Sequence, residues 1–269
     1  MPDLELLRRI DAYLDAVPRS ACRAEALGPF TVFVNERAGW SYYARPTPSV
    51  DRVTTDDVHR VRARQRELGT AETFEWIADL VPDVGPAAAR TGLTVITHPL
   101  MCLPPGGLVP PPAHAGARIR MVTPGDDLTR VGAVAQVGFA NPGTAGGPEG
   151  IDALSAPAAA ADAAAVAFVR ERIERGITVT VAAFVDGEPV ASGAHQPVDG
   201  VTEIVGVACL PAYRRRGLGA AVTSLLVQDA LARGVTTVCL SADDDNVARM
   251  YARLGFQTLG AVGAAEPAP

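Results

Sequence analysis

The stretch Val207-Ala208-Cys209-Leu210-Pro211-Ala212-Tyr213-Arg214-Arg215-Arg216-Gly217-Leu218-Gly219-Ala220 narrows the fold more than any other part of the chain. A β-rich run is halted by Pro211, a basic turn follows, and two glycines open an apolar helix that reads on to Arg233 and stops at Gly234. The first amides of such a helix lack intrahelical acceptors, its dipole adds roughly half a positive charge, and guanidinium groups match phosphate in shape. A diphosphate is the ligand such a turn suits best. Alone, Arg-x-x-Gly-x-Gly is a weak signal, because it also describes a Gly-rich turn with solvated arginines. The pattern around it has to decide.

Along the chain, strands and helices alternate. Leu4, Leu7, Ile10, Leu14 and Val17 recur at helical spacing up to Pro18. Residues 30–35 and 40–44 read as strands, with Trp40, Tyr42 and Tyr43 as an aromatic cluster in a core or interface. Thr54 to Asp57 offers a cap and an acidic first turn to a helix over 54–68; a strand at 73–77, a helix at 84–91 and a strand at 93–103 follow. Prolines and glycines over 104–117 form a linker. Beyond it come a strand at 118–122, a helix at 127–139, a Gly/Pro-rich loop at 140–150 and a single Ala-rich helix over 157–175. Strands at 178–185 and 190–195 are joined by the tight-turn pair Asp186-Gly187. Strand 202–210, helix 218–233, strand 235–241, helix 247–254 and a strand from Phe256 complete the order. The fold class expected is therefore α/β with a mixed sheet.

The 269 residues, 48% of them hydrophobic, suffice for two domains, each able to bury a core. The net charge of -6 argues against a nucleic-acid partner. All basic residues are Arg; with no Lys in the chain, no lysine can act as nucleophile or Schiff-base former. The four cysteines form no CxxC pair, so no metal site is expected. The segment 1–11 alternates Leu with charged residues unlike a signal peptide, and no apolar run approaches the ~18 residues of a membrane span, so a cytoplasmic protein without a membrane partner is expected.

The decisive context is the strand carrying Glu203, the RRRGLG turn, an apolar helix, a strand, and then Asn246-Val247-Ala248-Arg249-Met250-Tyr251-Ala252-Arg253-Leu254-Gly255-Phe256. Together these resemble the acetyl-CoA-dependent N-acetyltransferase (GNAT) superfamily, whose pyrophosphate loop is Q/R-x-x-G-x-G/A and whose next helix ends in Y-x-x-L-G-F. The resemblance covers about 118–259. Ala89-Arg90-Thr91-Gly92-Leu93 parallels Ala252-Arg253-Leu254-Gly255-Phe256, which points to a tandem form. Residues 1–103 would be a degenerate GNAT-like copy without a CoA site, 104–117 the linker, 118–262 the catalytic domain and 263–269 a flexible tail.

The resemblance implies acetyl-CoA as co-substrate and no metal. The amides of Arg216, Gly217, Leu218, Gly219 and Ala220, with Arg214 and Arg215, would hold the pyrophosphate. Val207, Ala208 and Cys209, on a strand that splays from its neighbour in this family, would bind the pantetheine arm. Tyr251 stands where the family's tyrosine protonates the leaving thiolate; a phenol pKa of ~10 keeps it protonated at neutral pH. Glu203 stands at the spacing of a general base, although it also reads as a glutamate at a strand start. Many members place Asn where this chain has Asp244, which leaves Asn246 as the CoA-side candidate. Asn141, Gly143 and Thr144 in the Gly/Pro-rich loop, and His195 at a strand end, are substrate-side candidates; His195 also reads as a surface histidine. The expected activity is acetyl transfer to a primary amine of a small molecule by direct attack in a ternary complex. A non-catalytic CoA-binding module and a tandem acyltransferase of the mycothiol-synthase type fit the same residues.

Overall fold

The computed structural model describes residues 3–37, 39, 41–112 and 116–268. Its elements are α1 (Leu4–Ala16), β1 (Cys22–Leu27), β2 (Phe30–Asn35), β3 (Arg45–Pro46), α2 (Thr55–Glu67), β4 (Phe74–Ile77), α3 (Val84–Arg90), β5 (Thr94–Leu103), β6 (Arg118–Met121) and α4 (Leu128–Ala140). There follow α5 (Ser155–Ala159), α6 (Ala163–Glu174), β7 (Val179–Val185), β8 (Glu188–His195), β9 (Val201–Cys209), α7 (Leu218–Ala232), β10 (Thr237–Ser241), α8 (Asp245–Arg253) and β11 (Gln257–Glu266). The chain divides into two compact units, 1–101 with 258–269 and 102–257.

In the first unit β1, β2 and β3 form an antiparallel sheet, and β11 lies between β4 and β5. Phe30 and Phe74 meet edge to face at 5.4 Å inside a core that also holds Val58, Val61, Trp76 and Val84. Edge-to-face contact suits the ring quadrupoles and anchors β2 against β4. The expected strand over 40–44 is reduced to an isolated bridge at Ala44 followed by the short β3. Trp40 lies outside the described residues, while Tyr42 packs edge to face on Phe33. β1 was not expected: its alternating Arg and Glu hide a strand that is only half-buried and that β2 pairs along its full length.

The expected boundary at 262/263 does not hold. Val262 to Ala265 pair antiparallel with Ile77 to Phe74, so residues 263–266 of the expected flexible tail are instead the end of a strand that belongs to the first unit. Hydrogen-bonded pairing against β4 and burial of Ala264 and Ala265 outweigh the small, low-propensity side chains that made this segment read as a tail.

In the second unit the strand order is β10-β9-β8-β7-β6, antiparallel except for the parallel β10/β9 pair. Leu128, Val131, Ala182 and Phe184 form part of its core. The expected single Ala-rich helix is broken: α5 and α6 meet at 108°. Asp162 accepts from the Ala164 amide at 2.9 Å, and a good N-cap at that point starts a new helix rather than continuing the old one. No single helix among the described residues is long and apolar enough to cross a membrane.

Candidate active site

β9 and β10 pair only over Val201–Glu203 and Thr237–Cys239. Beyond Glu203 the two strands part, and the β10-side edge of β9 stays open through Val207, Ala208 and Cys209. A bulge helps to turn β9 away. Ala194 faces Val205 and Ser192 faces Ala208, so Gly193 opposes two residues, Gly206 and Val207. Gly206 sits at φ +63°, a backbone that glycine adopts without a Cβ penalty, and an extra residue in one strand bends it. Helix α4 closes onto this strand where a Cβ on Gly138 would come within 2.8 Å of the Ala208 Cβ.

β9 leads into a short turn of helix at Pro211–Tyr213 and then into the basic turn. Arg215 has φ +62° and Gly217 φ +77°, and α7 starts on the latter with no side-chain cap. The amides of Leu218, Gly219 and Ala220 therefore have no intrahelical acceptor, and Ala221 N is the first to bond back, to Gly217 O at 3.1 Å. A Cβ on Gly219 would meet only Met250 Sδ at 3.6 Å and Val207 Cγ1 at 3.8 Å, ordinary contacts, so protein packing alone does not demand glycine here. Arg215 and Arg216 are exposed, the latter with its guanidinium 4.9 Å from the Tyr213 ring centroid. Arg214 differs: its guanidinium donates to the carbonyls of Cys209, Gly138, Asn141 and Ala145.

Tyr251 is buried on α8, edge to face with Phe256 at 6.0 Å. Burial raises its phenol above the ordinary tyrosine range, so it is a proton holder at any physiological pH. The Thr223 hydroxyl of α7 faces it closely enough to favour the ionised form, yet does not make a full hydrogen bond and has no other partner among the described residues. A buried hydroxyl without a partner costs stability unless a ligand or water completes it. Sequence reasoning passed over Thr223; a polar residue amid the apolar run of α7 was the available signal. Glu203 lies at the last position where β9 pairs with β10, and its Oε1 accepts from Ser241 Oγ at 3.4 Å.

Other candidates are placed elsewhere. His195 is fully buried, contrary to the surface position expected: Nδ1 faces Thr202 Oγ1 at 3.1 Å and Nε2 faces Asp229 Oδ2 at 3.0 Å. Burial lowers its pKa despite Asp229, and with both nitrogens engaged it ties β8 and β9 to α7. Burial likewise pushes the Cys209 thiol up to about 11, which removes a thiolate nucleophile at neutral pH. Asn246 is exposed in the first turn of α8 and bonds Arg249; Asp244 caps that helix by accepting from the Asn246 and Val247 amides. Asn141 ends α4 and bonds Val137 O at 3.0 Å, while Gly143 and Thr144 follow in the loop. No cluster of three or more His, Cys, Asp or Glu able to hold a metal occurs among the described residues.

The start of α2 in the first unit contrasts with that of α7. Thr54 and Asp57 form a reciprocal capping box, with Thr54 N to Asp57 Oδ2 at 2.8 Å and Asp57 N to Thr54 Oγ1 at 3.3 Å. A depression of about 430 Å³ beside it is lined by Arg52 and Arg90 but equally by Asp56 and Asp83. With the Thr54 amide taken by the Asp57 carboxylate, the Asp57 amide by the Thr54 hydroxyl, and Asp56 and Asp57 in the first turn, this helix start is a poorer seat for a diphosphate than that of α7.

Residues 153–256 match the model of the acetyltransferase (GNAT) family. This stretch is a GNAT-family domain. The GNAT domain holds the open strand edge, the turn and both Tyr251 and Glu203. The whole chain resembles a GCN5-related N-acetyltransferase from Kribbella flavida, with 23% identity and a TM-score of 0.71 over 98% of this chain and 96% of that one. A putative GNAT-family acetyltransferase from Novosphingobium aromaticivorans aligns over 90% and 89% at 21% identity and TM-score 0.53. A GCN5-related N-acetyltransferase-like protein from Streptococcus suis aligns over 98% of each chain at 12% identity and TM-score 0.53. Among curated proteins no relative matches. Family and fold together support an acetyltransferase.

Proposed function

We propose that the protein transfers an acetyl group from acetyl-CoA to a primary amine of a small molecule by direct attack in a ternary complex. The observation that carries this reading is the parting of β9 from β10 beyond Glu203, on a strand that leads into the open amides of α7. Acetyl-CoA supplies an activated acyl thioester. The amides from Arg216 to Ala220 and the exposed heads of Arg215 and Arg216 bind its diphosphate, and the free edge at Val207, Ala208 and Cys209 orients the pantetheine arm. Glu203 takes a proton from the substrate ammonium, since only a neutral amine is nucleophilic. Tyr251 holds its proton on Oη and gives it to the departing sulfur. The first unit is read as a copy of the same fold that binds no CoA.

Thiol release from acetyl-CoA, measured against a panel of aminoglycosides, polyamines, amino acids and peptides, tests this. Amine-dependent release with an N-acetylated product supports it. CoA binding without amine-dependent release from any of them overturns it in favour of a regulatory CoA-binding module.

A further inference from the structure

Arg214 opens the diphosphate turn in sequence, yet its side chain works on another segment. Nε donates to Cys209 O at 3.2 Å, Nη1 to Ala145 O at 3.1 Å, and Nη2 to Gly138 O at 2.9 Å and Asn141 O at 2.6 Å. One planar group thus ties the end of β9 to the last turn of α4 and to the 141–150 loop. The same two segments meet again where Ala212 N donates to Glu149 O at 3.1 Å and where a Cβ on Gly147 would lie 2.9 Å from Pro211 Cβ. The loop is therefore held at both ends by the residues leading into the turn.

We propose that Arg214 is a positioning residue that couples CoA occupancy of the 215–220 turn to the ordering of the 141–150 loop. The proposal rests on the CoA site put forward above. Its physical basis is the turn conformation. Arg215, a residue with a Cβ, is held at φ +62°, a left-handed state that side chains disfavour. An anion seated on the following amides rewards that state; without it, the turn relaxes more often and carries the Arg214 backbone with it. The four carbonyl bonds then loosen together, because they share one rigid fork. Linkage makes the effect reciprocal: an ordered loop also favours the turn that holds the anion.

Amide hydrogen exchange of the full chain, with and without saturating coenzyme A, reads this directly. Saturation is checked by calorimetry for each variant. In the wild type, coenzyme A is expected to slow exchange across 141–150 by about 5-fold or more, the lower range of common coupling. In Arg214→Gln at saturation that ratio falls to about one. Arg214→Lys keeps the charge but not the fork and is expected to behave like Gln; it also serves if the Gln variant does not fold. A wild-type loop equally protected in both states means that Arg214 is a static strut and overturns the proposal, as does a variant with the wild-type ratio. No binding isotherm for the wild type overturns the CoA reading and this proposal together, whereas binding without loop protection overturns this one alone.

Discussion

At the level of single side chains, two groups are proposed for opposite proton tasks, and their environments differ. Tyr251 is buried with its pKa raised, while Glu203 sits where the strands begin to part, within reach of Ser241 Oγ. Tyr251→Phe keeps the ring and its contact with Phe256, so turnover should fall by about 10² to 10⁴-fold with little change in CoA affinity. Glu203→Gln should lose activity in a pH-dependent way, with the defect shrinking as pH rises and more substrate amine is neutral. Parallel pH-rate profiles for wild type and Glu203→Gln would exclude Glu203 as the base. Gly219→Val should weaken CoA binding by obstructing the diphosphate while the domain stays folded, since a Cβ at this position makes only ordinary contacts. Unchanged affinity in calorimetry would refute that. The surroundings of Arg214 and Thr223 were not legible from residue type: one is set by carbonyls from distant segments, the other by what faces it across two helices.

At the level of elements, Gly255 shows why α8 ends as it does. It has φ +100°, and a Cβ would fall 1.8 Å from Gly107 O, whose segment also bonds α8 through Val109 N to Leu254 O at 2.9 Å. Gly255→Ala should therefore cost several kcal/mol, more than the ~1 kcal/mol of conformational strain alone, read as a lowered denaturation midpoint. The strand-to-helix corner at Asp126 gives a pH-dependent test. Hydrogen bonds from Arg120, at 2.6 and 2.9 Å, and from Thr123 hold this carboxylate well below the usual range. A lowered folded-state pKa contributes stability that is present above the unfolded value of ~3.9 and lost as pH falls below it. Asp126→Asn should thus cost about 1 kcal/mol at pH 7, and the difference should shrink in melts taken below about pH 4. Most helix and strand positions were readable because caps, glycine stops and apolar spacing are local; the break between α5 and α6 was not, because alanine favours helix throughout and only the Asp162 cap marks the new start.

At the scale of the whole chain, the two units predict one CoA site. α7 begins on bare amides and arginines, whereas at the start of α2 the Thr54–Asp57 box takes the Thr54 and Asp57 amides and the first turn carries Asp56 and Asp57. Calorimetry should give one CoA per chain, and two equivalent sites would contradict the reading of the first unit. β11 also makes that unit depend on the far end of the chain. A Cβ on Gly263 would lie 2.3 Å from the Trp76 ring, so Gly263→Ala should lower the unfolding midpoint of the first unit, followed by tryptophan fluorescence. By itself the sequence determined the α/β class, the turn suited to an anion and the segment that carries Tyr251, because each is written in contiguous residues whose propensities and spacing act locally. Only the tertiary structure decided that His195 is interior, that Arg214 holds a loop, that β9 and β10 part at Glu203, and that the last strand belongs with the first unit. These outcomes depend on pairing and burial between residues far apart in the chain, where the partner, and not the residue's own preference, sets the free energy.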